Sequence, residues 1–271
     1  MLPAVLCVWT AIAGMTLWEI VGQPALASET VKPPTGASAG ATSARLNACT
    51  ALPPREPMPR QAVPEQLDSP DWRQRDAALD AQLAGIDRSK VKLVFIGDSI
   101  TQYWDPSLFH QFYGSRAALN LGLWGDFTEG ALWRLQHDQW GSLNPRLTVL
   151  LIGTNNTQWG GAPEDVALGV AELVRFIHAR APDSKILLVG ILPRGADMTE
   201  KLRAVNAQVN TLIARCADGR KVFFRDVGRI LLDAEGRLSE QVSFDRLHPT
   251  MVGYALLAST LEPTIKQLLG D

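Results

Sequence analysis

Five short apolar runs, at residues 92–96, 117–121, 147–152, 185–191 and 221–226, alternate along the chain with segments of helical periodicity. The interiors of these runs are nearly continuous Val, Ile, Leu and Phe, without the alternation of a half-exposed strand. A strand that is apolar on both sides needs cover on both faces, which is the condition of a parallel sheet between two helical layers. The segments between them supply the cover. Residues 72–83 precede the first strand, 129–137 follow the second, 163–179 the third and 200–216 the fourth, and 250–269 close the chain. In the third of these helices Val166, Val170, Leu173, Val174 and Ile177 share one stripe, Pro163 suits the first helical position, and Glu164 and Asp165 favour the positive helix start. Leu202, Val205, Val209, Leu212 and Ile213 form the stripe of the next. Pro263 is expected to kink or break the last helix. The order predicts an α/β fold, a three-layer α/β/α sandwich on a five-stranded parallel sheet. In such sheets the active site lies outside the carboxyl ends of the strands.

The chain has 271 residues, of which 46% are hydrophobic, enough for a sizeable core. Its net charge is −2 with no block of like charge, which argues against nucleic acid or an anionic membrane surface as the main partner. Its three cysteines form no Cys-x-x-Cys pair, so a structural-zinc pattern is absent. Residues 1–27 read as a signal peptide: an apolar run from Leu2 to Trp18 without charge, then Ala25-Leu26-Ala27 ahead of Ser28-Glu29. The start lacks the usual Lys or Arg, and the competing reading is an uncleaved anchor, for which the run is short and Glu19 interrupts it. Cleavage predicts a secreted or periplasmic protein with no stable membrane span. Cys7 would leave with the signal, and Cys49 and Cys216 would share an oxidising compartment. There they could pair, or stay as thiols with Cys216 packed at a helix end. Residues 28–66, rich in Pro, Ala, Gly, Ser and Thr, read as a linker or surface strap, and residues 67–271 as one folded domain without internal repeats.

Three turns fall directly after strands and so meet at one rim: Gly97-Asp98-Ser99-Ile100, Gly122-Leu123-Trp124-Gly125-Asp126 and Gly153-Thr154-Asn155-Asn156. A serine hydroxyl becomes a nucleophile at neutral pH when an imidazole takes its proton and a carboxylate orients that imidazole. Asp245-Arg246-Leu247-His248-Pro249 offers both partners three residues apart. His110, His137 and His178 lie in helical or charged surroundings and read as structural or solvated. A glycine N–H and an asparagine amide suit the developing oxyanion of acyl transfer. Singly, each block has a plainer reading: helix capping by Asp98 or Ser99, a surface ion pair for Asp245 and His248, and simple turn chemistry for the Gly and Asn residues. Thr101 stands where the Gly-x-Ser-x-Gly elbow needs its second glycine, so this is not an α/β-hydrolase elbow.

In this order, the four blocks resemble the SGNH (GDSL-type) hydrolase family, whose fold is the flavodoxin-like α/β/α sandwich. Within that family, 118–126, 132–135, Gly153-Thr154-Asn155-Asn156 and Leu192-Pro193-Arg194-Gly195 are similar to the catalytic subunits of intracellular platelet-activating-factor acetylhydrolase, over about residues 93–269. The resemblance implies Ser99 as nucleophile, His248 as general base and then acid, and Asp245 as its orienting carboxylate. It implies an oxyanion hole of the Ser99 and Gly125 N–H groups and the Asn155 side chain, with Gly122 a second choice. Asp98 and Asp126 would be structural, and no metal or cofactor is implied. Two departures stand out: the mammalian-type subunits are cytosolic whereas this chain reads as exported, and Trp124 stands where that subfamily usually has a small glycine beside the oxyanion donor.

Trp104, Trp124 and Trp159 fall in or near rim loops, where indoles can stack on sugar faces, wall off a small acyl pocket or pack loops on the sheet. Trp124 and Trp159 are taken as substrate-binding candidates; Trp133 and Trp140 read as core. The expectation is a serine esterase of short acyl groups, acetyl foremost, acting on O-acetylated carbohydrate or envelope glycan. The alternatives are a lysophospholipase or thioesterase, or a non-catalytic binding member of the fold. The partner is a small-molecule or glycan ester, and nothing in the chain sets an oligomeric state.

Overall fold

The computed structural model describes residues 48–271. Its five strands, β1 (Leu93–Gly97), β2 (Ala118–Gly122), β3 (Leu147–Leu151), β4 (Lys185–Val189) and β5 (Val222–Arg225), are all parallel and lie in the order β2-β1-β3-β4-β5. Each agrees with the expected run to within one or two residues at either end. Successive strand residues point to opposite faces, and the core divides accordingly. Val94, Ile96, Leu119, Leu121, Leu150, Ile186 and Leu188 belong to one cluster; Leu93, Phe95, Leu147, Val149, Leu187 and Val189 belong to the other.

The first cluster is covered by α1 (Pro70–Ala84), α4 (Thr128–Arg134), α6 (Pro163–Arg180) and α7 (Lys201–Ile213). The second is covered by α2 (Ser99–Gln102), α3 (Pro106–Tyr113) and α8 (Met251–Leu269). α5 (Thr154–Gln158) follows β3. These two coats make the three-layer α/β/α sandwich. Local chemistry sets the helix starts: Pro70 and Pro163 stand in the first turns of α1 and α6, and the Ser69 and Thr250 hydroxyls accept the N–H groups of Trp72 and Gly253, each at 3.3 Å.

Three expectations are corrected. The last helix is continuous through Pro263. Pro263 and Ser259 are both exposed, so water can satisfy the Ser259 carbonyl that the proline deprives of a donor, while Leu257, Leu261, Ile265 and Leu268 hold the buried face on both sides. Trp133 is only half-buried, stacked on His137. The packed domain also begins before residue 67: Ala48, Cys49 and Ala62 are buried against it. A disulfide joins Cys49 to Cys216 at the end of α7, and the Arg175 guanidinium donates to the carbonyls of Cys49 and Leu52. Thr128 Oγ1 donates to the Gln61 carbonyl at 2.8 Å and the Glu65 N–H to the Glu129 carbonyl at 3.2 Å. The expected signal at residues 1–27 lies outside the described residues.

Candidate active site

β2 ends against α2 with almost no clearance. A Cβ on Gly122 would come within 2.2 Å of the Gln102 backbone nitrogen, so a side chain there would push apart the turn after β1. Gly122 therefore serves close packing, and the open-faced glycine of that loop is Gly125, at φ +72° with no atom within 4 Å of where a Cβ would stand. In the turn itself Asp98 is the cap: its carboxylate accepts the Ile100 N–H at 2.9 Å. Burial pushes the Asp98 carboxyl up to about 7 against that hydrogen bond. With capping assigned to Asp98, the Ser99 hydroxyl is left for another partner.

That partner comes from the loop between β5 and α8. His248 Nε2 lies 2.9 Å from Ser99 Oγ, and His248 Nδ1 lies 2.6 Å from Asp245 Oδ2. The other oxygen of Asp245 accepts the N–H groups of His248 (2.7 Å) and Leu247 (3.0 Å), which locks the turn. Burial alone would raise the Asp245 pKa, but these donors and the imidazole outweigh it and hold the carboxyl below its ordinary range. An acceptor at Nδ1 fixes the proton there, so Nε2 is free to accept from the serine. Phe244 is roughly parallel to the imidazole with centroids 5.9 Å apart, and Tyr103 meets it edge-on at 5.7 Å.

Ser99 and His248 open on a cavity of about 720 Å³ that Gly125, Asn155, Trp124 and Trp159 also line. Asn155 Nδ2 donates to the Asp126 carbonyl at 2.8 Å, and an amide nitrogen carries a second hydrogen to spare. The Gln102 side chain accepts the Trp124 N–H at 2.6 Å and so fixes the loop just before Gly125. Trp159 is 80% exposed and Trp124 42%, whereas Trp104 is 3% exposed among Phe95, Phe109, Tyr113 and Tyr254 and takes no part in the cavity. Sequence reasoning missed the cavity's second wall, which includes Arg60, Leu67, Ser69, Trp72, Phe127 and Glu129. Glu129 had only the signal of an acidic residue at a helix start, and the strap residues had none. Among the described residues no group of three or more His, Cys, Asp or Glu could hold a metal ion, and no helix is long and apolar enough to cross a membrane.

The sequence pattern of the GDSL-like Lipase/Acylhydrolase family matches residues 95–256. The chain belongs to this family. As a GDSL-type acylhydrolase it is a carboxylic ester hydrolase, and the matched span contains Ser99, Gly125, Asn155, Asp245 and His248 but none of the strap. It is 34% identical over 181 residues to the platelet-activating factor acetylhydrolase IB subunit alpha2 of Rattus norvegicus, spanning 66% of this chain and 78% of that one. To subunit alpha1 of Homo sapiens it is 31% identical over 182 residues, with the same shares covered. Among solved structures, this GDSL-type hydrolase shares its fold with a GDSL-like lipase from Bacteroides thetaiotaomicron (TM-score 0.57, 22% identity, 72% of this chain and 97% of that one). It also shares it with an acetylxylan esterase from Geobacillus stearothermophilus (TM-score 0.52, 18% identity, 67% and 97%).

Proposed function

We propose that the chain is a serine esterase that removes short acyl groups, acetyl foremost, from O-acetylated carbohydrate, through an acyl-enzyme on Ser99. The observation that carries this reading is the pair of hydrogen bonds through His248, at 2.9 Å to Ser99 and 2.6 Å to Asp245. His248 Nε2 takes the serine proton as Oγ adds to the ester carbonyl. The resulting oxyanion is held by the Ser99 and Gly125 N–H groups and the Asn155 amide. Collapse expels the alcohol, which receives the proton from His248. Water, deprotonated by the same imidazole, then attacks the acyl-enzyme and releases the acid and Ser99. Asp245 keeps the imidazole in the required tautomer and stabilises the imidazolium.

The two exposed indoles beside the nucleophile favour a sugar face as the alcohol part. The fold shared with an acetylxylan esterase accords with this. A second reading, an acetylated lipid, is favoured by the acetylhydrolase relatives. Ser99→Ala is expected to abolish release of p-nitrophenol from its acetate, and undiminished turnover would remove Ser99 as nucleophile. A series of p-nitrophenyl esters separates the readings: activity falling with acyl length fits a short-acyl site, while a preference for long chains favours a lipase. We also propose export after cleavage near Ala27, with which the Cys49–Cys216 disulfide accords. Mass spectrometry of the mature N-terminus tests it, and an intact Met1 in the purified native protein refutes it.

A further inference from the structure

Resting on the carbohydrate reading above, we infer that Arg60 and Glu129 form a subsite that binds a free hydroxyl on the alcohol side of the substrate. A cavity of about 720 Å³ is the size of a whole small-molecule site. A two-carbon acyl group fills little of it, so most of the space serves the alcohol.

Glu129 is 4% exposed, yet it lines that cavity. Its Oε2 accepts from Asn156 Nδ2 at 2.7 Å. Its Oε1 has no hydrogen bond among the described residues; the nearest cationic atom is Arg60 Nε at 3.9 Å, beyond hydrogen-bond reach. Oε1 faces the open cavity, so its acceptor capacity is available to a substrate O–H that displaces solvent there.

Arg60 is the matching half. Glu65 grips one edge of its guanidinium, at 2.7 Å to Nε and 2.8 Å to Nη2, which orients the plane and leaves Nη1 without a partner among the described residues. The strap is fixed at this point by the Thr128 to Gln61 and Glu65 to Glu129 hydrogen bonds, so Arg60 stands over the start of α4. An acceptor beside a donor suits a hydroxyl, which is both. An anionic alcohol is disfavoured, because Glu65 pairs with Arg60 and Asp68 with Arg73, which leaves the Glu129 carboxylate in excess at this end of the cleft. Arg60 lies outside the residues matched by the family pattern and Glu129 within them, so the strap supplies one half of this subsite and α4 the other.

The test takes kcat/KM for mono-O-acetyl xylotriose and divides it by kcat/KM for p-nitrophenyl acetate. That ratio cancels the folded fraction and any effect on the shared chemistry. Arg60→Met and Glu129→Gln are each expected to lower it by about tenfold or more, because a site built to hydrogen-bond a hydroxyl loses discrimination when one partner goes. A ratio unmoved in either variant overturns the subsite and leaves the esterase reading intact. A wild type that turns over p-nitrophenyl acetate but not the acetylated sugar overturns the carbohydrate reading and the subsite together.

Discussion

Asp126 and Arg134 form an ion pair, 2.8 Å from Oδ2 to Nε, with neither side chain exposed to solvent. The same carboxylate accepts from Trp72 Nε1 and from the Phe127 N–H, each at 3.1 Å, and the Asp126 carbonyl holds Asn155. Arg134 also reaches the Gly97 carbonyl at 3.4 Å, at the end of β1 and directly before the Ser99 turn. One buried pair thus ties the Gly125 loop, the Asn155 turn and the Ser99 turn together.

Removing the cation leaves a carboxylate stranded in the interior. Arg134→Met is therefore expected to destabilise the fold by about 3–5 kcal/mol. Chemical denaturation of variant and wild type measures this, and an equal or higher midpoint would contradict it.

Asp245→Asn keeps the shape of the turn but loses the charge that holds the imidazole tautomer. The expected result is a fall in kcat on the order of ten-thousandfold, as for other triads that lose this carboxylate. Steady-state kinetics on p-nitrophenyl acetate decides it; retention of most of the rate would show that His248 is oriented by something else.

Asn155→Ala removes one oxyanion donor and its anchor on the Asp126 carbonyl. The turnover rate should drop by about a hundredfold or more while circular dichroism stays native. An unchanged rate would exclude Asn155 from the oxyanion hole.

Asp98 gives a pH signature. Burial lifts its pKa in the folded state from the ordinary 3.8 to about 7, so the native protein binds this proton more tightly than the unfolded chain does. Its contribution is fully present below about pH 4 and is lost as pH rises through about 7. Asp98→Asn keeps an oxygen for the Ile100 N–H and does not ionise. The melting temperature of the variant should therefore fall less than that of the wild type between pH 4 and pH 8. Parallel curves would show that Asp98 does not titrate in this window.

The sheet was legible because each strand is apolar on both faces, a pattern that admits few alternatives. The placement of Ser99, Asn155 and the Gly125 loop at one rim followed from strand order alone. Helices of four or five residues, such as Ser99–Gln102 and Thr154–Gln158, are too short to carry a period and were invisible. The strap misled for a different reason. Its proline-rich composition describes a chain without secondary structure, which says nothing about whether Ala48, Cys49 and Ala62 are buried by partners more than a hundred residues away or close to α4. Trp104 and Trp159 show the same limit: both are loop indoles in sequence, yet one is enclosed by four aromatic rings and the other stands in solvent.

The Ser99 hydroxyl and the His248 imidazole hydrogen-bonded to it are 149 positions apart, one following the first strand and the other the last. During synthesis the ribosome delivers Ser99 well before His248. A nascent or truncated form lacking the loop after β5 thus holds the Ser99 hydroxyl without its imidazole partner, and the pair forms only when the edge strand and its following loop have docked.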